Sequence, residues 1–94
     1  MAKRLVYVLR SLKAPERRYV GLTSDVERRL AAHNAGASPF TARYRPWAVT
    51  TRIEFEDEHR AAAFERYLKT PSGRAFAKRH FAVTVGPKPS AEAK

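Results

Sequence analysis

Two β-prone segments near the start of the chain predict neighbouring strands. Residues 5–9 form a continuous apolar run, which is typical of a strand covered on both faces. Residues 11–17 are polar and contain Pro15, so they predict a hairpin loop before a second strand at residues 18–22. We therefore expect an antiparallel pair of strands.

Side chains alternate along a strand, so Tyr7 lies on the face opposite to Val6 and Val8. We predict the register that pairs Tyr7 with Tyr19. That register places both phenols on one face of the sheet and sets Val6 opposite Val20.

The segment that follows carries the signals of a capped helix. Ser24 and Glu27 have the spacing of a capping box, and Gly36 is a natural stop. Arg29 precedes His33 by four residues, so both side chains project from the same side of this helix. The predicted buried stripe consists of Val26, Leu30 and His33.

The rest of the chain predicts a loop, a third strand and two more helices. Residues 37–47 mix prolines with aromatic and basic residues and predict a loop, and residues 48–55 predict a strand. Acidic residues at 56–58 favour a helix start. Thr70 can cap the last helix, with Pro71 at its first position. The apolar positions of the preceding helix are Ala61, Phe64 and Leu68.

The length of 94 residues allows one domain. We predict a domain over residues 1–85 and a flexible C-terminal tail over residues 86–94. Residues 80–85 fit either a short final strand or an extended segment.

The charge of the chain indicates a polyanionic partner. Lysine and arginine total 19 against 9 acidic residues, giving a net charge of +10. Nucleic acid is the partner that this charge favours; a merely soluble basic protein and an anionic membrane surface are the alternatives. No apolar run approaches the ~20 residues of a membrane span, and the N-terminus lacks the features of a signal peptide. We expect a cytoplasmic protein that does not bind membranes.

The absence of cysteine excludes disulfides and thiolate metal sites. The three histidines are too scattered along the chain to indicate a zinc site. Any metal ion is therefore expected to have oxygen ligands.

Five polar residues occupy positions where the pattern predicts either apolar residues or exposed residues without a specific role. They are Tyr7, Tyr19, Arg29, His33 and Glu65. Each has a simpler interpretation, since tyrosines occur in ordinary sheets and the Arg–His pair can be a solvated helix face. Glu65 can pair with Lys69 at i, i+4, which is worth only ~0.2–0.5 kcal/mol. Taken singly, none of them demonstrates a site.

Their order and spacing give these residues a common interpretation. Leu5-Val6-Tyr7 and Tyr19-Val20-Gly21 stand at the positions of two signature triplets, followed by the segment at residues 29–36 and by Glu65 in a later helix. Over about residues 5–81 the chain resembles the GIY-YIG nuclease family. Within that family it is similar to the small stand-alone bacterial branch, whose members are relatives of the amino-terminal nuclease domain found in bacterial excision repair. The first glycine of the family signature is Leu5 here.

The resemblance implies an α+β fold, with a three-stranded antiparallel sheet flanked by about three helices. It also implies hydrolysis of DNA phosphodiester bonds with one divalent ion, Mg²⁺ or Mn²⁺, bound by Glu65. Tyr7 is then the candidate general base or orients the attacking water, supported by Tyr19. Arg29 is expected to hold the scissile phosphate, and His33 to assist proton transfer or contact the phosphate.

A phenol with a pKa near ~10 is a poor base at neutral pH unless cations stabilise its anion. We expect the metal ion and Arg29 to supply that stabilisation. Because no second domain is present to read a base sequence, we expect branched or damaged DNA as substrate, in repair or recombination. A protein partner can supply targeting, and the sequence does not determine the oligomeric state.

Two groups of basic residues are candidates for further DNA contacts. The first comprises Arg43 and Arg45 beside Tyr44 and Trp47, where Trp47 fits equally well as a base-stacking residue or as a plug of the core. The second comprises Lys69, Arg74, Lys78 and Arg79, which can also be a solvated helix face.

The alternative function is a non-catalytic nucleic-acid-binding module that keeps the fold. It predicts salt-sensitive binding without metal dependence. A structural role in a larger assembly is also open, but no feature of the sequence favours it.

Overall fold

The structure, a computed structural model, describes residues 2–81. In chain order its elements are β1 (Leu5–Ser11), β2 (Arg18–Thr23), α1 (Val26–Asn34), α2 (Pro39–Ala42), β3 (Trp47–Glu54), α3 (Glu58–Leu68) and α4 (Pro71–His80). The strands form one antiparallel sheet in the order β2-β1-β3. The α+β class and the three-stranded sheet are confirmed.

The predicted register between β1 and β2 is wrong by two residues. Tyr7 lies opposite Gly21, and Tyr19 lies opposite Leu9. β1 extends two residues further towards the hairpin than predicted, whereas β2 begins at Arg18 as predicted and ends one residue later, at Thr23. The Ser11 hydroxyl accepts the backbone N–H groups of Lys13 and Ala14 at the start of the shortened loop. Because side chains alternate with a period of two, a slip of two keeps both phenols on the predicted face.

The sheet is covered on both faces, as the apolar run of β1 predicts. Val6 and Val8 face α3 and α4, and pack in an apolar cluster that includes Ala61, Leu68 and Ala77. The partly buried residues packed against it include Phe55, Phe64, Phe76 and Phe81. We call this side the apolar face.

The opposite side of β1 carries Tyr7 and Leu9, which cluster with Val26 of α1 and with Trp47. His33 and Thr41 are also buried, at 1% and 0% exposure. We call this side the polar face, since its buried residues include hydrogen-bonding side chains.

The ends of α1 differ slightly from the prediction. Asp25, rather than Ser24, caps the N-terminus, and its carboxylate accepts the backbone N–H of Arg28 at 3.1 Å. The cap therefore lies one residue later than the predicted capping box. At the other end, Gly36 has a positive φ of 83°, as expected of a glycine that ends a helix.

The predicted loop at residues 37–47 contains the four-residue helix α2, and Trp47 already belongs to β3. A four-residue helix is too short to leave a periodic pattern, so the sequence did not reveal it. The start of α4 agrees with the prediction: Pro71 is at its first position, and Thr70 accepts the backbone N–H of Gly73 at 3.0 Å.

His80 ends α4 and Phe81 is its C-cap. The rest of the predicted segment at residues 80–85 and the predicted tail at 86–94 lie outside the described residues, so the domain boundary remains a prediction. No helix within residues 2–81 is long and apolar enough to cross a membrane.

Candidate active site

The Tyr7 side chain lies across Gly21, its neighbour on β2. A Cβ atom at position 21 would lie 2.5 Å from both Cζ and Oη of Tyr7. Any larger residue would therefore displace the ring, which is itself only 1% exposed. The glycine of the Tyr19-Val20-Gly21 triplet makes room for the tyrosine of the first triplet.

A chain of hydrogen bonds joins Tyr7 to α1 and α2. The Tyr7 hydroxyl lies 3.0 Å from Nε2 of His33, and Nδ1 of His33 lies 2.8 Å from Oγ1 of Thr41. The Thr41 hydroxyl in turn contacts the carbonyl oxygen of Ser38 at 3.4 Å. Three side chains from three elements are thus connected beneath the surface.

The direction of this chain follows from its last member. The Ser38 carbonyl can only accept, so the Thr41 hydroxyl donates to it and accepts from Nδ1–H of His33. Nε2 then carries no proton and accepts the proton of the Tyr7 hydroxyl. In the reverse arrangement the buried Tyr7 proton finds no other acceptor among residues 2–81, which costs about 1–3 kcal/mol. We therefore assign the Nδ1–H tautomer to His33.

Burial raises the pKa of the Tyr7 phenol above its ordinary value, whereas the guanidinium of Arg29 acts in the opposite direction. The same interaction with Tyr7 raises the pKa of Arg29. Arg29 also interacts with Tyr19. In the free protein Tyr7 is therefore protonated at neutral pH, with a cation beside it that favours its ionised form.

Burial lowers the pKa of His33 below its ordinary value, and the nearby charge of Arg29 lowers it further. The imidazole is therefore neutral at neutral pH. Both pKa shifts keep the proton on Tyr7 in the free protein, and Nε2 of His33 is the hydrogen-bonded atom positioned to take this proton if the phenol ionises.

Tyr19 completes the group on the same side. Its ring centroid lies 4.7 Å from the centroid of His33 and 6.2 Å from that of Tyr7. The structure thus brings together four of the five predicted site residues, from β1, β2 and α1. Their catalytic roles remain predictions.

Glu65, the fifth, forms the predicted ion pair with Lys69, at 2.5 Å between Oε2 and Nζ. The Lys69 charge also lowers the pKa of Tyr7, although burial and Arg29 act more strongly on it. Glu65 is carried by α3, which covers the opposite face of the sheet, and among the described residues no hydrogen bond joins it to the other four site residues. Lys69 lines one groove together with Tyr19, so the ion pair lies at the edge of the sheet formed by β2.

The donor set suits only one kind of metal site. No group of three or more His, Asp or Glu side chains within residues 2–81 has the arrangement of a metal cage. The Glu65 side chain is 16% exposed and offers a single carboxylate. One carboxylate is compatible with Mg²⁺ or Mn²⁺, ions that keep water ligands and take further oxygens from a substrate phosphate.

Trp47 is a buried core residue and is not exposed for stacking on bases. It is 3% exposed, and its indole N–H donates to the Thr41 carbonyl at 2.9 Å. The Asn34 side chain accepts the backbone N–H of Trp47 and donates to its carbonyl. These bonds fix α2, and thereby Thr41, against the sheet.

A basic groove of about 620 Å³ lies beside Tyr19. Its charged and aromatic lining consists of Arg17, Arg18, Lys69, Arg74, Lys78, Glu16, Tyr19 and Phe40. We call it the basic groove. Of the predicted DNA-binding residues, Lys69, Arg74 and Lys78 line it, whereas Arg43, Arg45 and Arg79 do not.

Several residues of the site and groove were not predicted from the sequence. Arg17 and Arg18 were assigned to a hairpin loop and a strand start, although two adjacent arginines beside Tyr19 are a usable signal. Thr41 and Phe40 belong to the predicted loop, where no local pattern distinguishes them from surface residues.

The chain matches the model of the GIY-YIG catalytic domain over residues 3–80. It is also similar to a structure-specific endonuclease subunit slx1 from Talaromyces marneffei, with 43% identity over 65 residues. That match covers 63% of this chain and 17% of the relative, so the chain spans a small part of the relative's length. No solved structure matches this chain.

The family match covers all four helices and all three strands of the described structure. The predicted resemblance and the predicted enzyme class are therefore confirmed: the chain belongs to the GIY-YIG family of endonucleases.

Proposed function

We propose that this protein hydrolyses phosphodiester bonds of DNA at branched or damaged sites, with one divalent ion, Mg²⁺ or Mn²⁺. The observation that carries the proposal is the bonded pair of Tyr7 and neutral His33 beside the guanidinium of Arg29. A buried phenol needs a hydrogen-bond acceptor, which His33 supplies, but burial alone gives no reason for a cation beside it.

In this mechanism Nε2 of His33 takes the phenolic proton, and Arg29 stabilises the resulting phenolate. The phenolate then removes a proton from the water that attacks phosphorus. A new P–O bond forms from that water, and the bond to the leaving sugar oxygen breaks. This oxygen takes a proton from a solvent water, and the imidazolium of His33 releases its proton to solvent, which restores the starting state of both residues. Arg29 also lies where it can bind the negative oxygens of the phosphate.

The divalent ion belongs to this proposal through Glu65, whose carboxylate would hold it. When bound, such an ion supplies positive charge to the phosphoryl oxygens and lowers the pKa of bound water. Lys69 neutralises the Glu65 carboxylate in the free protein and would have to share it with the ion.

The substrate is inferred from two observations. The relative is by its name a subunit of a structure-specific endonuclease. The basic groove beside Tyr19 offers five cations and one acid to a polyanion. The groove supports binding of a polyanion. The name of the relative supports recognition of DNA structure, a place in DNA repair or recombination, and, because the relative is a subunit, a protein partner that supplies targeting.

The test is cleavage of flapped, branched and nicked DNA with Mg²⁺ or Mn²⁺ by the wild type, Tyr7→Phe and Glu65→Ala. We expect Tyr7→Phe to reduce the rate about 10²–10⁴-fold, which is the usual contribution of proton transfer by a positioned side chain. Matched controls are Tyr67→Phe and Glu56→Ala, which alter exposed residues outside the site.

Undiminished cleavage in both site variants would refute the assignment of the site.

The second candidate function is a DNA-binding module without catalysis, favoured by the ion pair that already engages Glu65. It predicts salt-sensitive, metal-independent binding and no cleavage of any substrate.

A further inference from the structure

Phe40 is the most exposed large apolar side chain within residues 2–81, at 61%. Burying a phenylalanine side chain is worth about 1.5–3 kcal/mol, and most of that stabilisation is not obtained here. The packing of the fold therefore does not explain an aromatic residue at this position.

The backbone at Phe40 is nevertheless firmly held. The next residue, Thr41, is fully buried, bonded to His33, and accepts the Trp47 indole N–H. Pro39 occupies the first position of α2, and the Ala42 N–H donates to the Ser38 carbonyl at 2.9 Å. The ring of Phe40 is thus exposed to solvent on a backbone that is held in place.

The Phe40 ring continues a row of rings that begins at the site. Its centroid lies 6.4 Å from that of Tyr19, and the Tyr19 centroid lies 6.2 Å from that of Tyr7. Phe40 also lines the basic groove with Arg17, Arg18 and three cations from the end of α3 and from α4. An exposed aromatic ring therefore borders both the candidate catalytic residues and a polycationic surface.

This combination suits one kind of ligand. The cations can hold phosphates, and an aromatic face can stack on a base, an arrangement that recurs in proteins that bind single strands. The charge of the groove disfavours an apolar protein surface as the occupant. Within an intact duplex each base is already stacked on its neighbours, so a free base face exists only where the strand is unpaired.

We propose that Phe40 forms a stacking subsite for an unpaired base of the strand that lies in the basic groove, next to the phosphate presented to Tyr7. The proposal rests on the proposed function for the identity of the polyanion and deepens it. The subsite makes an unpaired nucleotide beside the cleavage position a determinant of substrate binding.

The test is equilibrium binding of fluorescent oligonucleotides in EDTA, where no cleavage is needed. Stacking of one base on an aromatic residue is worth about 1–3 kcal/mol, which corresponds to about 5–150-fold in Kd. We expect Phe40→Ala to weaken binding of single-stranded and flapped DNA by this factor and to leave blunt duplex unchanged. Phe40→Trp should bind as tightly as the wild type.

Two controls separate stacking from general effects. Leu12→Ala removes another exposed apolar side chain, 51% exposed and outside the groove, and should change no affinity. Phe40→Leu keeps an apolar side chain without a π face and should weaken binding nearly as much as Phe40→Ala. If Phe40→Ala lowers the melting temperature, Phe40→Leu serves as the variant for the comparison.

A direct readout is the fluorescence of 2-aminopurine placed in the flap next to the junction. Stacking on Phe40 should quench it in the complex with wild type and not with Phe40→Leu. Equal affinity of wild type and Phe40→Leu for flapped DNA would overturn the subsite. So would an equal loss for duplex and flap, or a self-association that Phe40→Ala abolishes.

These binding results are independent of the proposed catalysis. If Phe40 contributes to binding and to quenching but no DNA is cleaved, the subsite is supported and the proposed hydrolysis is refuted. If cleavage depends on Tyr7 but Phe40 contributes nothing to binding, the hydrolysis is supported and the subsite is refuted.

Discussion

The two faces of the sheet are built from alternate residues of the same strand but are held together differently. On the apolar face Val6 and Val8 meet α3 and α4 through apolar side chains alone. On the polar face Tyr7 meets α1 and α2 through His33 and Thr41, in a chain of directional bonds.

In a small domain the site and the stabilising core can occupy opposite faces of one strand. Apolar packing tolerates changes that preserve volume, whereas a buried hydrogen-bonded chain fails when one partner is removed. The apolar face therefore carries much of the stability, and the polar face carries positions that cannot be exchanged. Gly21 on the polar face and Gly73 on the apolar face each lie at a close approach to a neighbour, so the same substitution can be made on both faces.

Gly21→Ala on the polar face should reduce activity more than any other change considered below. The added Cβ would lie 2.5 Å from the Tyr7 hydroxyl oxygen, so the ring must leave its position and its bond to His33. We expect a loss of cleavage rate of about 10²–10⁴-fold, as in Tyr7→Phe, because the same proton transfer is lost. Destabilisation from overpacking should stay near 1–3 kcal/mol. Rates and urea unfolding measure the two quantities.

Gly73→Ala is the matched change on the apolar side. Its Cβ would meet the backbone of Tyr67 and Leu68, where α4 crosses the end of α3. We expect a loss of stability of at least about 1–3 kcal/mol, because backbone cannot move aside as a side chain can. The fraction that remains folded should keep its Tyr7-dependent rate. If Gly73→Ala rather than Gly21→Ala abolished the rate of folded protein, the division between the faces would be wrong.

Features of the fold that depend on short stretches of chain were predicted correctly from the sequence. Alternation in β1 predicts both faces, because the side-chain period of a strand is local and does not depend on the register. Thr70 and Gly36 were assigned correctly since capping and helix termination involve only a few neighbouring residues. The register was wrong by two because a loop of several polar residues does not fix the point where pairing begins.

The site was predictable only in part. Tyr7, Arg29 and His33 converge as expected, since strand and helix periodicity place them on defined sides. Thr41 could not be predicted, because its contact with His33 depends on how residues 37–47 fold back onto the sheet. Phe40 could not be predicted either, since exposure next to a groove is a property of the assembled fold.

A smaller effect is expected from Thr41→Val, which keeps the shape of the residue and removes its hydroxyl. Nδ1–H of His33 then loses its acceptor, at a cost of about 1–3 kcal/mol in the free energy of unfolding. Thr41→Ser keeps the hydroxyl and should restore most of the stability and the cleavage rate. Thr41 acts through His33, so its role is one of positioning.

The tautomer itself is measurable by the ¹⁵N chemical shifts of His33. In the wild type we expect a protonated Nδ1 and an unprotonated Nε2, and in Thr41→Val a mixture of tautomers. A wild type with its proton on Nε2 would reverse the direction of the chain and remove His33 as the acceptor of the Tyr7 proton.

The smallest effect is on the pH dependence of the free energy of unfolding. A change of pH distinguishes the two faces without altering their packing. Burial and the charge of Arg29 lower the pKa of His33 in the folded state. As pH falls below about 6.5, the unfolded chain therefore takes up the proton first, and the free energy of unfolding declines through the folded-state pKa. In urea unfolding between pH 7.5 and 5.5, His33→Gln should flatten this decline relative to His59→Gln, which removes an exposed histidine instead. The buried residues of the apolar cluster include no titratable side chain, so a decline of equal slope in both variants would place the pH-sensitive group outside the polar face.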